Sequence, residues 1–349
     1  MDSHLEQKPQ TRKNPTIMTS KKTSRLGLIC ALSATVLVLT GCVSAGGAGE
    51  RADGPIVVQG ALLEPTDPQA VAEFTSFDEL SVDKMAKALV PADIREAGVL
   101  IFGVDPTAAP MEFLGSDGST FVGFNADIAR ALAKILDLQI AFKSSSFDAM
   151  IPGLQAERFD AVIASMGVTE ERLEVIDMVG YALGGHALAS APGNPQGIGE
   201  ASMCGHTVAV AQGSIQSVTR GPEYSLACED RGEEPIKLVT LPSQQETLLQ
   251  VASGQVEAAY LDAPIVAWAA KQNPEKIELA AAIPGSIFSM GILDGSELTP
   301  ALVAAIKHLA SLPEYERIGE RWGMEYSKLE PDLLDSYEAP PVPPAPLVK

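Results

Sequence analysis

Four short stretches of this 349-residue chain carry side chains able to grip a small polar molecule: Asp105, the segment Ser165 to Arg172, the segment Gly213 to Gln216, and Asp262. Each follows an apolar run, and in open α/β sheets ligands sit beyond the carboxyl ends of the strands. Arg172 falls in the first turn of a helix that Thr169 would cap, where a cation opposes the helix dipole by about some tenths of a kcal/mol. A guanidinium offers two parallel donors that match a carboxylate, and backbone N–H groups near Gly167 would complete an anion grip. An ordinary salt bridge to Glu170, Glu171 or Glu174 is the alternative that local sequence leaves open. Gly213 and Ser214 start a helix, as a plain cap or as an anion site. Asp262 either caps the helix beginning at Pro264 or accepts from an ammonium group.

Other chemistry is not signalled. No nucleophile elbow, zincin pair, phosphate-binding loop or dinucleotide fingerprint occurs, and the four histidines are scattered. The reading is therefore a protein that is not an enzyme and has no cofactor and no metal. A formal charge of −20 repels phosphate backbones, which argues against a nucleic-acid partner.

The elements that must position these residues alternate. Val99 to Val104 reads as a strand, and Phe124, Ile128, Leu132 and Ile135 recur at helical spacing after a candidate cap at Asn125. Ile140 and Phe142, a helix holding Met150, Ile151 and Leu154, and the run Ala161 to Ala164 continue the pattern. The second half repeats it: Val208 and Val210, a helix opening at Ser214, strand Ile236 to Leu241, a capping box from Ser243 to Glu246, strand Val256 to Leu261, helix Pro264 to Lys271 and strand Ile277 to Ala281, with the amphipathic helix Pro300 to Leu309 closing the body. Strands alternating with helices imply parallel-rich α/β sheets.

The N-terminus reads as an export signal. Lys21, Lys22 and Arg25 precede the apolar run Leu26 to Leu39, which is short for a bilayer span, and Thr40 and Gly41 precede Cys42. Small residues before a cysteine resemble the lipobox of bacterial lipoproteins. That resemblance implies a signal peptide over residues 1–41, lipid such as palmitate on Cys42, and an extracytoplasmic protein anchored to the cell membrane; Met18 is an alternative start to Met1. Residues 42–94 read as tether and residues 329–349 as a Pro-rich extended tail, leaving roughly 250 residues, enough for two ordinary domains. With Cys30 in the signal and Cys42 lipidated, Cys204 and Cys228 remain as a pair, and an oxidising compartment favours a disulfide. A metal site using His206 lacks ligands nearby.

From Gly98 to about Met324 the chain resembles the bacterial extracellular solute-binding proteins of family 3, the capture components of ABC importers for polar amino acids. The resembling stretches are Gly103 to Phe113, Gly123 to Leu136, Phe147 to Leu154, Asp160 to Arg172, Val208 to Gln216 and Gly254 to Asp262. The resemblance implies a two-lobed, type II periplasmic-binding-protein-like fold with a parallel-rich sheet in each lobe: lobe 1 over 95–184 and 286–328, lobe 2 over 185–285. Two crossover strands, near Tyr181 to Ala189 and Ile283 to Gly291, would join them. It further implies that Arg172 holds a ligand α-carboxylate, helped by Gly167, Ser214 and Ile215, and that Asp262 holds the α-ammonium. Phe147 would stack on the ligand's aliphatic part, Asp105 would face its side chain, and Ser165 and Gln216 would complete the polar wall. The implied protein is a monomer that delivers an amino acid to an ABC transporter permease. A cyclohexadienyl-dehydratase-like enzyme, with Asp105 or Glu112 shuttling protons, and a sensory module are alternatives on the same scaffold. The chain departs from the family pattern at Ala108, where a stacking aromatic is expected, at Asn125, where an acid is usual, and at Gly167 and Ile215, which are often hydroxylic; these leave the side-chain preference open.

Overall fold

A computed structural model describes residue 77 and residues 80–329. The expected signal at 1–41, Cys42, most of the tether and the tail beyond residue 329 lie outside the described residues. In chain order the body runs α1 (Lys84–Ala88), α2 (Ala92–Ala97), β1 (Val99–Val104), β2 (Thr107–Ala108), β3 (Glu112–Leu114), β4 (Phe121–Val122), α3 (Phe124–Ile135), β5 (Gln139–Ser144), α4 (Met150–Gln155), β6 (Ala161–Met166), α5 (Glu170–Leu173) and β7 (Ile176–Ser190). It continues with β8 (Thr207–Ala211), α6 (Gly221–Asp230), β9 (Lys237–Leu241), α7 (Gln244–Ala252), β10 (Ala258–Asp262), α8 (Ala263–Gln272), β11 (Glu278–Leu293), α9 (Thr299–Ala310) and α10 (Pro313–Trp322).

Eight strands follow the order β5-β1-β6-β11-β7-β10-β8-β9. The apolar runs explain the outer thirds: β5, β1 and β6 pair in parallel, as do β10, β8 and β9, and β6 and β10 are buried along their whole length. Helices cover both faces, which is what such two-sided strands require. Between the two parallel groups lie β7 and β11, paired antiparallel from Glu278↔Ser190 to Leu293↔Ile176. One end of β11 pairs with β6, and the opposite end of β7 pairs with β10. These two long strands are the connection between two α/β lobes. Their register shifts at three places, one of them between Pro284 and Ser286. Gly184 on β7 admits the Phe288 ring, which would lie 2.5 Å from a Cβ placed there.

Three expectations need correction. The tether does not extend to residue 94, because Leu80, Ala86 and Val90 are buried in the main core cluster. Val82, Met85 and Leu89 of the same stretch are exposed, so no clean amphipathic face marked it as folded. Asn125 is not the cap of α3: Gly123 is, at φ 126, with Met111 O only 2.3 Å from where a Cβ would stand. Asn125 is thereby carried inside the first turn, fully buried. Finally, α9 does not close the body. α10 follows, and its Trp322 Nε1 donates to Asp127 on α3 at 2.9 Å.

Cys204 and Cys228 form a disulfide across a sequence separation of 24, tying the approach to β8 to the last turn of α6. Closing a loop of this size removes unfolded-state entropy worth about 3 kcal/mol. The paired Cys204→Ser, Cys228→Ser variant is expected to lose about that much stability in urea denaturation followed by circular dichroism, with little change in slope; an unchanged midpoint would show the bond to be structurally idle.

Candidate functional site

The carboxyl ends of β1, β6, β8, β9 and β10 converge on one crevice of about 450 Å³, counting its open mouth. Asp105, Phe147, Ser165 and Gly167 line it from the first lobe, and Ser214, Ile215, Gln216 and Asp262 from the second. Eight of the nine ligand-binding residues expected from sequence thus share a single wall-to-wall space. The ninth, Arg172, stands behind that wall. Thr169 caps α5 through its Oγ1, which accepts from Arg172 N at 3.2 Å, so the capping expectation holds.

The Arg172 side chain is buried, and it does not turn to Glu170, Glu171 or Glu174. Its Nη1 donates to Gly167 O, its Nη2 donates to Gly213 O at 2.7 Å, and the guanidinium lies 5.5 Å from the centre of the Phe147 ring. Gly167 follows β6 and Gly213 follows β8, so one cation holds carbonyls from both lobes. Burial lowers the guanidinium to about 10, opposed by the charges of Asp262 and then Glu171. It stays charged at neutral pH, and Nε–H and the remaining Nη hydrogens are still available as donors.

Asp262 occupies the N-cap position of α8 but makes no side-chain capping bond there. Its Oδ1 accepts from Gln216 Nε2 at 2.7 Å and its Oδ2 from Gln244 Nε2 at 2.8 Å. Gln216 Nε2 also reaches Nδ1 of buried His186 at 2.9 Å. Two carboxamides hold this carboxylate in place while leaving lone pairs on both oxygens. Ser214 is the more ordinary residue: its Oγ donates to Ala211 O at 2.7 Å and accepts from Ser217 N at 3.2 Å. The helix expected to open there begins as a π turn over Gln216–Arg220 before α6.

On the first-lobe side Asp105 accepts from Thr107 N and Oγ1 and from Phe147 N, and burial outweighs these bonds to raise its carboxyl above the ordinary value. Ser165 has φ 52, a left-handed conformation costing a non-glycine residue about 1 kcal/mol. It is held by its N–H donating to Tyr181 Oη at 3.0 Å and by Asn125 Nδ2 donating to its Oγ at 3.0 Å. Tyr181 Oη in turn donates to Asn125 Oδ1 at 2.7 Å.

Several lining residues were not anticipated as ligand contacts: Glu112, Thr107, Gln244 and Pro242. Gln244 follows β9 and was open to the same carboxyl-end rule that picked out Asp262. Glu112 is 1% exposed, and Asn125 Nδ2 donates to its Oε2 at 2.5 Å. Burial first, then the charge of Asp105 and, to a lesser extent, Asp262, push its carboxyl well above the ordinary range. An acid flanked by the apolar Met111 and Phe113 is the signal that could have marked it. Among the described residues the disulfide sulfurs and Glu233 are the one cluster with metal-ligand proximity, and oxidised sulfurs are not thiolate ligands.

Known proteins resemble this chain in sequence and fold. The arginine-binding protein ArgT of Corynebacterium glutamicum is 30% identical over 250 residues, covering 71% of this chain and 82% of that protein. The solved structure of an ancestral arginine-binding protein bound to arginine superposes with a TM-score of 0.59 at 29% identity, covering 64% of this chain and 98% of the other. An ancestral amino-acid-binding protein described as a precursor of cyclohexadienyl dehydratase superposes with a TM-score of 0.58 at 25% identity, covering 66% and 97%. The sequence profile of the bacterial extracellular solute-binding proteins, family 3, matches residues 100–325. With a two-lobed α/β body, strand ends meeting at one crevice and that profile spanning nearly all the described residues, the chain belongs to the bacterial extracellular solute-binding proteins, family 3.

Proposed function

We propose that this protein captures a free amino acid between its lobes, outside the cytoplasm, while lipid on Cys42 holds it at the membrane, and that it passes the amino acid to the permease of an ABC importer. The observation that carries the reading is a buried cation, Arg172, bridging the lobes behind the crevice wall, and a buried anion, Asp262, lining the crevice from the second lobe. A free amino acid is a zwitterion of matching polarity. Arg172 and backbone N–H groups at Gly167 and Ile215, on the wall that Ser214 helps to form, take its carboxylate; Asp262 takes its ammonium. Phe147 covers the aliphatic part, Asp105 faces the side chain, and Ser165 and Gln216 complete the polar wall. Inside a cleft closed to water each of these interactions is stronger than it would be in solvent.

Closure is the useful work. Gln212 Nε2 of the second lobe donates to Asp148 Oδ2 of the first at 2.7 Å, beside the Arg172 bridge to Gly213. A ligand that favours this closed arrangement shifts the population towards it, and a permease that recognises the closed surface would read out occupancy. Gly184 and Gly185 of β7, facing Pro284 and Ser286 of β11, suit the hinge between lobe 1 (95–184 with 286–328) and lobe 2 (185–285). No reaction is assigned to the crevice. A dehydratase reading is favoured only by the extra carboxyl groups Asp105 and Glu112, and turnover of a cyclohexadienyl substrate would support it.

Two outcomes are expected. Isothermal titration of an Arg172→Ala variant with the amino acid that raises the melting point of the unaltered protein should show affinity reduced at least about a hundredfold, since a desolvated carboxylate is left without its cation; wild-type affinity would remove Arg172 from the site. Cys42→Ala should shift the protein from the membrane to the soluble fraction and abolish labelling by palmitate, whereas continued membrane retention would refute the lipid anchor.

A further inference from the structure

Of the three acids on the crevice wall, Glu112 accepts the fewest hydrogen bonds, and no counter-charge is among the groups that act on it. Its Oε2 accepts a single hydrogen bond, from Asn125 Nδ2 on α3. That amide cannot turn. Tyr181 Oη accepts from Ser165 N–H, so its own hydrogen goes to Asn125 Oδ1, and the two Nδ2 hydrogens go to Glu112 and Ser165 Oγ. The titratable groups facing Glu112 are Asp105 after β1, Asp262 after β10 and the Tyr181 phenol on β7, and the first two are acids. Arg172 is turned to Gly167 O and Gly213 O, and its charge is not among those acting on Glu112. One neutral donor cannot support a third negative charge in an enclosed space already holding two.

Resting on the amino-acid-binding reading above, we propose that Glu112 is a neutral carboxylic acid in the free protein and ionises against the positively charged side chain of a basic amino acid, so that capture expels a proton. The balance is simple: the acid O–H breaks, its proton leaves to solvent, and the carboxylate pairs with the guanidinium or ammonium the ligand carries in. A neutral side chain gives Glu112 no reason to ionise and is captured without proton release. The site is thereby selective for basic side chains, with a selectivity that grows as pH rises. The sign follows from linkage: binding that releases a proton tightens with increasing pH until the free acid itself ionises, by up to about tenfold per pH unit.

The test is calorimetry on the full chain with arginine and, separately, glutamine, in phosphate and in Tris at pH 7. These buffers differ in ionisation enthalpy, so the difference in observed heat counts protons. The expected result is about one proton released with arginine and none with glutamine. Glu112→Gln, which can offer its carbonyl to Asn125, should abolish the release and reduce arginine affinity about tenfold or more while leaving glutamine nearly unaffected. Arginine binding with equal heats in both buffers would overturn the inference and leave the amino-acid-binding reading standing. Failure of arginine, glutamine and every other amino acid to bind would overturn both. The proton count on the unaltered protein decides the matter even if the variant fails to fold.

Discussion

A guanidinium out of water must have its donors met, and Arg172 meets two of them with carbonyl oxygens from opposite lobes. Everything around the crevice is arranged by that requirement. Thr169 sets α5 so that the arginine leaves the helix towards the cleft. Gly213 adopts φ 72 and passes close to Asp148, where a Cβ would stand 3.2 Å from Asp148 Cβ, bringing its carbonyl within reach. Phe147 closes the remaining side with its ring face. Unpaired, a cation this deeply buried would cost several kcal/mol, so the lobes cannot part without either hydrating it or offering it a new acceptor. On the proposed reading, a ligand carboxylate entering the cleft is such a partner.

The antiparallel pair β7 and β11 turns that local demand into a two-lobed mechanism. Parallel strands need helical crossovers, so each lobe is a rigid α/β layer, whereas two long antiparallel strands can bend where their register breaks. His186 on β7 pairs in register with Asp262 on β10 and touches Gln216 through Nδ1. The carboxylate end of β10 is therefore anchored to the connecting strand itself, one residue beyond Gly185. On the proposed reading, movement at the hinge and placement of the ammonium partner are mechanically joined.

The fold was legible because the apolar runs of β1, β6, β8 and β10 are buried on both faces and read as such. The site was legible because loops at parallel strand ends come together whatever their side chains. Residues that rely on distant partners were not. Asn125 sits where a helix cap is plausible, and only Glu112, Ser165 and Tyr181, all remote in sequence, explain its position in the first turn. Asp262 satisfies every local criterion for a cap and makes no capping bond, because Gln216 and Gln244 arrive from other strand ends. The α1 stretch reads as tether because its apolar residues serve both core and surface. Leu80, Ala86 and Val90 are buried by the rest of the body, which no local window contains.

The departures at Gly167 and Ile215 are best understood as one change. A Cβ at Gly167 would lie 3.2 Å from Ile215 Cδ1 and 3.3 Å from Cγ2, so the isoleucine fills the space that a side chain at 167 would need. A hydroxyl at 167 facing those methyl groups would lose water without gaining a partner, at a cost of about 1–3 kcal/mol. Glycine avoids the loss, and Ser214 has already committed its hydroxyl to Ala211 O. The anion end of the crevice is thus stripped of free hydroxyls. On the proposed reading, what remains for a ligand carboxylate is the guanidinium and backbone N–H groups, the latter placed by the chain path and not by rotamers. On that reading such a grip senses only the part of an amino acid that all amino acids share, and discrimination falls to the wall that Asp105, Ala108 and Glu112 line.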